Sequence, residues 1–143
     1  MLFVPKIVEL KTQVRCSLRS PRCEDAKSLL EFIKRCSQET NFLLRYKEEY
    51  SDSLLVEEGF IKRINVSCFD VMIVAIIDGV IVANCQLNIK QNLKTKHRGS
   101  IAICVRKDFW GLGIASKLID ELMALAKENG CEQLELETME TNV

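Results

Sequence analysis

The sequence predicts a mixed α/β fold (α+β mixed) whose sheet is mostly antiparallel but contains one parallel strand–helix–strand step. Three observations carry that prediction. Asp78-Gly79 separates the apolar run Val71–Ile77 from Val80–Ile89, and Asp-Gly between β-branched runs marks a hairpin because a type I′ turn needs positive φ at both central residues. Next, the strand Ile101-Ala102-Ile103-Cys104-Val105 leads through Arg106–Phe109 into Trp110-Gly111-Leu112-Gly113-Ile114-Ala115-Ser116, which opens a helix over Lys117–Asn129. Finally, Leu134 and Leu136 alternate with Glu135 and Glu137 beyond Asn129-Gly130. The strands on either side of that helix are therefore parallel and joined by a right-handed crossover.

The remaining elements follow in chain order. Ile7–Leu10 and Val14–Leu18 read as a first hairpin around Lys11-Thr12-Gln13. Ser20-Pro21 offers a hydroxyl N-cap and a first-turn proline, with Glu24 and Asp25 at the positive end of a helix. Ala26, Leu29, Leu30, Ile33 and Cys36 then recur at helical spacing and form its apolar face. Ser37–Tyr50 is less regular and reads as a loop with a short helical turn. Ser51-Asp52-Ser53 caps a second helix, with Val56, Phe60, Ile61 and Ile64 inward and Gly59 slightly weakening it. Asn92–Lys96 is a polar loop, and a strand from His97 to Val105 follows it. In the last helix Leu118, Ile119, Leu122, Leu125 and Ala126 make the buried stripe.

Composition narrows the function classes. At 143 residues the chain is of single-domain size. Its 20 basic and 20 acidic residues cancel, so there is no net field to attract nucleic acid or an anionic membrane. Seven cysteines, widely spread and without a Cys-x-x-Cys pair, argue against a metal or redox motif. With no signal-like N-terminus and no long apolar run, the expected compartment is a reducing cytoplasm in which these thiols pack as small hydrophobes.

The glycine-rich stretch carries the chemistry. Gly111 and Gly113, followed by small residues, let the backbone turn tightly and leave N–H groups uncovered where a helix begins. Those N–H groups have no internal partner, and the helix dipole adds partial positive charge there, so an anion is favoured without a basic side chain. Arg106, Lys107 and Lys117 are cations close enough in sequence to add to that field. A dinucleotide fingerprint fits poorly, because Arg106–Trp110 separate the strand from the glycines and only one βαβ unit is present. A phosphate-binding loop of the Gly-Lys-Ser/Thr type is absent.

At Trp110, Gly113 and Ala115 the sequence resembles the motif of the GNAT superfamily of N-acetyltransferases, with Trp110 where the family usually has Arg or Gln. The element order resembles that fold across nearly the whole chain. The resemblance implies transfer of an acetyl group from acetyl-CoA, as co-substrate and without a metal, to a primary amine of a small molecule or peptide. It places the backbone of Ile103, Cys104 and Val105 along the pantetheine arm of the coenzyme. The N–H groups of Gly111, Leu112, Gly113, Ile114, Ala115 and Ser116 then hold the pyrophosphate, and Asn142 belongs to the coenzyme site. Many relatives carry a glutamate on the strand before the glycine corner; between Arg98 and Val105 this chain has none. His97, the only histidine, and Glu137 are the candidate bases.

The family's fifth strand is followed by a helix, a tyrosine that protonates the leaving thiolate, and two further strands. Here Val143 follows Asn142 directly, so the resemblance implies a single acetyltransferase-like domain over residues 1–143 without those elements. Their absence would leave apolar sheet surface and a strand edge uncovered, and a homodimer is expected. Two alternatives stand beside an active enzyme: a catalytically weak coenzyme A-binding protein, and a truncated fragment stabilised by self-association.

Overall fold

The computed structural model describes residues 1–39, 53–89, 98–131 and 133–137. Six strands form one sheet in the order β1 (Lys6–Glu9), β2 (Arg15–Arg19), β3 (Asp70–Ile77), β4 (Val80–Ile89), β5 (Arg98–Val105) and β6 (Gln133–Glu137). Every neighbouring pair is antiparallel except β5 and β6, which are parallel. Three helices, α1 (Ala26–Glu39), α2 (Leu54–Val66) and α3 (Ile114–Glu128), complete the described elements. This is the expected mixed sheet with its single parallel step across α3. The Asp78-Gly79 turn has φ of 52° and 76°, the two positive values a type I′ connection demands.

Strand alternation divides the core between the two faces. Val71, Ile73 and Ala75 of β3, Cys85 and Leu87 of β4, and Ile101 and Ile103 of β5 point to one face, where Ile114, Leu118, Leu122 and Ala126 of α3 cover them. Met72 and Val74 of β3 and Cys104 of β5 point to the other face, under Leu29, Phe32 and Ile33 of α1 and Ile61 and Ile64 of α2. The near-continuous apolar run of β3 is thus a strand buried on both sides. Cys16, Cys36, Cys85 and Cys104 are buried, and all seven cysteines are free thiols. Burial pushes the Cys16, Cys85 and Cys131 thiols up from their usual value, so they behave as small apolar side chains.

Three element boundaries differ from the sequence reading, each for a local reason. Ser20 is not the cap of α1: its hydroxyl accepts from the Phe3 backbone N–H at 2.8 Å. A 3-10 turn over Cys23–Asp25 precedes the helix, and Asp25 Oδ2 caps it by accepting from the Arg22 N–H at 2.7 Å. In α2, Ser53 does cap the helix, accepting from Val56 N, but the buried positions are Glu57, Ile61 and Ile64. Ile61 and Ile64 are inward as expected, but Val56 is 52% exposed while Glu57 is 1% exposed, so the first turn buries Glu57 in place of Val56. The third helix begins at Ile114 rather than Lys117, because Gly113 in the left-handed region stands immediately before its first turn. Residues 37–39 are the end of α1; the rest of the variable segment to Tyr50 and the loop Asn92–Lys96 lie outside the described residues.

Asp25 also joins β2 to the start of α1. Arg19 Nη1 donates to Asp25 Oδ2 at 2.6 Å and Nη2 to Oδ1 at 3.0 Å, a two-pronged pair. Burial pushes the Asp25 carboxyl up, but the Arg19 hydrogen bonds, the Arg22 N–H and both guanidinium charges outweigh it and hold the carboxyl below its ordinary value. A depressed folded-state value means the stabilisation is present above the unfolded-state value, about pH 3.9, and is lost as pH falls through the lower folded-state value. Asp25→Asn is expected to cost about 1–3 kcal/mol at neutral pH and to flatten the acid limb of the stability curve. Urea unfolding of both proteins from pH 7 down to the acid transition checks this, and parallel acid limbs would contradict it.

Candidate active site at the end of the fifth strand

On one side β5 is fully paired, with Cys85, Asn84 and Ala83 of β4 opposite Ile103, Cys104 and Val105. On the other side its register with β6 runs from Arg98 opposite Gln133 to Ala102 opposite Glu137. Among the described residues, pairing with β6 therefore stops one residue short of Ile103. Ile103, Cys104 and Val105 follow that last pair and lead into the turn that begins the parallel step.

The turn beyond Val105 is held from several directions. A β-bulge places Val82 as an extra residue in β4, between the pairs Ala75–Ala83 and Ile76–Ile81. Its carbonyl accepts from Arg106 N at 2.9 Å. A 3-10 turn over Lys107–Phe109 then brings Trp110 back, and its indole Nε1 donates to the Val105 carbonyl at 2.8 Å. Trp110 and Leu112 also pack against the core on the α3 face. From the first hairpin, Lys11 N donates to the Leu112 carbonyl at 3.0 Å. A side chain, a distant backbone and a bulge thus fix the strand end and the loop together.

Gly111 and Gly113 have φ of 86° and 90°, values that L side chains rarely adopt. A Cβ at either position would meet no atom within 4 Å. The need for glycine is therefore conformational, and the space beside both residues is open. Gly113 serves as the N-cap of α3 without any side-chain capping bond, and the first turn holds no acidic residue. The first i→i−4 bond runs from Lys117 N to Gly113 O at 3.2 Å, so the N–H groups of Ile114, Ala115 and Ser116 precede it. Ile114 is buried and anchors the turn, while Ala115 and Ser116 are exposed. An anion can approach these N–H groups with little desolvation cost.

The cations near the corner divide. Arg106 is engaged by Asp108, with Nη2–Oδ2 at 2.9 Å and Nε–Oδ1 at 3.2 Å, and its guanidinium lies 5.3 Å from the Phe109 ring centroid. Arg35 of α1 approaches the same carboxylate at 3.6 Å. Arg106 is thus committed to shaping the loop, whereas Lys117 is exposed on the first turns of α3.

The structure brings together Ile103, Cys104, Val105 and the run from Gly111 to Ser116. Of the other sequence candidates, Glu137 ends β6 opposite Ala102, while His97 and Asn142 lie outside the described residues. The sequence reading missed the Trp110–Val105 bond and the Lys11–Leu112 bond. A tryptophan at a position usually held by Arg or Gln was the only signal for the first, and the second joins residues too distant for any local signal. Among the described residues, no group of three His, Cys, Asp or Glu side chains is arranged to hold a metal ion.

Comparison with known proteins accords with this geometry. Residues 28–143 match the model of the acetyltransferase (GNAT) family. No curated protein matches the chain. Among solved structures, a GNAT-family acetyltransferase from Streptococcus pneumoniae is 24% identical with a TM-score of 0.74, over 85% of this chain and 73% of that one. The GNAT domain of S. lividans PAT is 20% identical with a TM-score of 0.74, over 96% and 80% of the two chains. The PaiA N-acetyltransferase of Thermoplasma acidophilum, solved with coenzyme A, is 16% identical with a TM-score of 0.68, over 89% and 81%. At these identities the likeness to solved structures is one of fold.

Trp110→Phe keeps the ring but removes the N–H that holds Val105, and is expected to cost about 1 kcal/mol in urea unfolding. Gly113→Ala forces an L side chain into the left-handed region and is expected to cost about 1–2 kcal/mol. Losses below a few tenths in both would show that the corner is not fixed as described. The family match over most of the chain, together with the strand end, glycine corner and uncapped helix start, places this chain in the GNAT family of acetyltransferases.

Proposed function

We propose that the chain transfers an acetyl group from acetyl-CoA to a primary amine of a small molecule or peptide. The observation that carries this is the pair of positive-φ glycines opening α3 onto N–H groups without a side-chain cap, just beyond the end of the strand that carries Ile103–Val105. In this reading the N–H groups from Gly111 to Ser116 hold the pyrophosphate of the coenzyme. The backbone of Ile103, Cys104 and Val105 pairs with its pantetheine amides, and Asn142 is assigned to the same coenzyme site.

The amine nitrogen attacks the thioester carbonyl carbon, the C–S bond breaks, and the departing thiolate takes up a proton. Positioning of the two reactants supplies much of the rate. The attacking amine must first lose a proton, for which His97 and Glu137 are the candidate bases; Glu137 is favoured by its place opposite Ala102, one residue before the pantetheine edge.

Residues 1–143 act as one acetyltransferase-like domain, working as a homodimer in the cytoplasm. The exposed apolar residues Leu2 and Val4, which precede edge strand β1, and Ile7 within it support self-association. Free thiols at all seven cysteines suit a reducing compartment. No described helix is long and apolar enough to cross a membrane.

Calorimetric titration with acetyl-CoA tests the reading directly. The chain is expected to bind, and Gly113→Glu, which places bulk and negative charge at the corner, is expected to weaken binding by at least about tenfold. Absence of binding by the unsubstituted chain would defeat the proposal. Equal binding by the variant would move the coenzyme site elsewhere.

A further inference from the structure

Glu31, Lys34 and Arg35 of α1, Gly79 of the β3–β4 turn and Arg106 beyond β5 line an open cleft of about 510 Å³. That volume is in the range that holds a small molecule. Phe32 and Ile81, both buried, close the cleft toward the core. No residue from Gly111 to Ser116 borders it, so it is separate from the glycine corner although both lie at the same end of β5.

The lining is positive, with Lys34, Arg35 and Arg106 against the single carboxylate of Glu31. Two of those cations already converge on one anion. Arg106 Nη2 lies 2.9 Å and Arg35 Nη2 3.6 Å from the same atom, Asp108 Oδ2, although one comes from the strand-end loop and the other from α1. Asp108 itself does not border the cleft. Arg106 gives Nε and Nη2 to that carboxylate, and its Nη1 has no acceptor among the described residues. Its side chain is only 16% exposed, so little of it is hydrated. A guanidinium presents five N–H donors in a planar fork that matches the oxygens of a carboxylate or phosphate.

We propose that this cleft is a second anion site, distinct from the glycine corner, that takes the carboxylate or phosphate group of a small acid. The oxygens of that group accept from Arg106 Nη1 and from Arg35, beside the Lys34 ammonium. Hydrogen bonds of this charge-assisted kind are about twice as strong as neutral ones. Because Arg35 and Arg106 also serve Asp108, the ligand and Asp108 compete for the same two guanidiniums. An occupied cleft therefore acts on the turn over Lys107–Phe109 that leads to Trp110. The site stands whether or not the chain transfers acetyl groups.

The test is an amide NMR titration with inorganic phosphate and, separately, with succinate, at constant ionic strength so that general screening does not change. Saturable shifts are expected at Arg35, Gly79, Val80 and Arg106. Arg35→Gln is expected to weaken binding about tenfold, and Asp108→Asn, which removes the internal competitor, to tighten it about fivefold. Lys62→Gln makes the same change of charge on α2, away from the cleft, and is expected to leave affinity unchanged. Arg35, Lys62 and Asp108 are all exposed, so the three variants are expected to fold. Tighter binding of phosphate would identify a phosphate-bearing ligand and tighter binding of succinate a carboxylate; either supports the site.

Shifts confined to Gly111–Ser116 would put the anion at the glycine corner and overturn the second site. Absence of saturable shifts with both anions would do the same, as would affinities that Arg35→Gln and Asp108→Asn leave unaltered. A loss in Lys62→Gln as large as in Arg35→Gln would reduce the effect to net charge and also overturn it. Titration of the same proteins with acetyl-CoA keeps the two readings apart, since failure to bind the coenzyme defeats the functional proposal and not the anion site.

Discussion

The double pairing of β5 is the constraint on which the rest of the structure depends. Antiparallel bonds to β4 hold it along its length, and among the described residues parallel bonds to β6 run from Arg98 to Ala102. A parallel neighbour requires a crossover connection, and α3 supplies it. Because α3 must start at the carboxyl end of β5 and pack on one face, the turn between them is short, positive in φ at two glycines, and open at the helix N-terminus. The anion-accepting corner follows from the topology and the backbone together.

Around that corner, several weak ties combine into one rigid arrangement. The Val82 bulge, the Trp110 indole, the Lys11 N–H and the Arg106–Asp108 pair each contribute one or two hydrogen bonds. Each such bond is worth only about 0.5–1.5 kcal/mol net. Their shared effect is to position Val105 and Gly111 relative to one another, and precise placement of backbone groups is what recognition of a pyrophosphate and a thioester arm requires. Apolar packing of α3 over Ile101 and Ile103 on one face, and of α1 and α2 over Cys104 on the other, holds the strand end in place.

Much of the fold was legible because its signals are short in range. The Asp-Gly turn, the alternation of Leu134 and Leu136 with glutamates, and the i, i+3, i+4 stripes are properties of neighbouring residues, and each element they predict is present. Boundaries were less legible. Ser20 is a good cap in isolation, yet its hydroxyl is taken by Phe3, seventeen positions away. In α2 the apolar count favoured an inward Val56, whereas packing on β3 and α1 buries Glu57 in its place. The glycine corner and its torsion angles were legible in the glycine spacing; a catalytic base was not, since neither His97 nor Glu137 has a local signature that separates it from an ordinary polar residue.

By itself, then, the sequence determined the element order, the parallel step, the conformational need for glycine at 111 and 113, and through these the family. Those depend on torsion angles and side-chain periodicity within a few residues. The tertiary structure decided which helices cover each face of β5, how Trp110 and Lys11 lock the corner, and that Asn84 and Gln86 hold buried amide atoms that no described residue matches. The alternation of Asn84, Gln86 and Asn88 with Cys85, Leu87 and Ile89 is visible in the chain. Its meaning is not, because whether a strand's polar face meets water or protein depends on helices distant in the sequence.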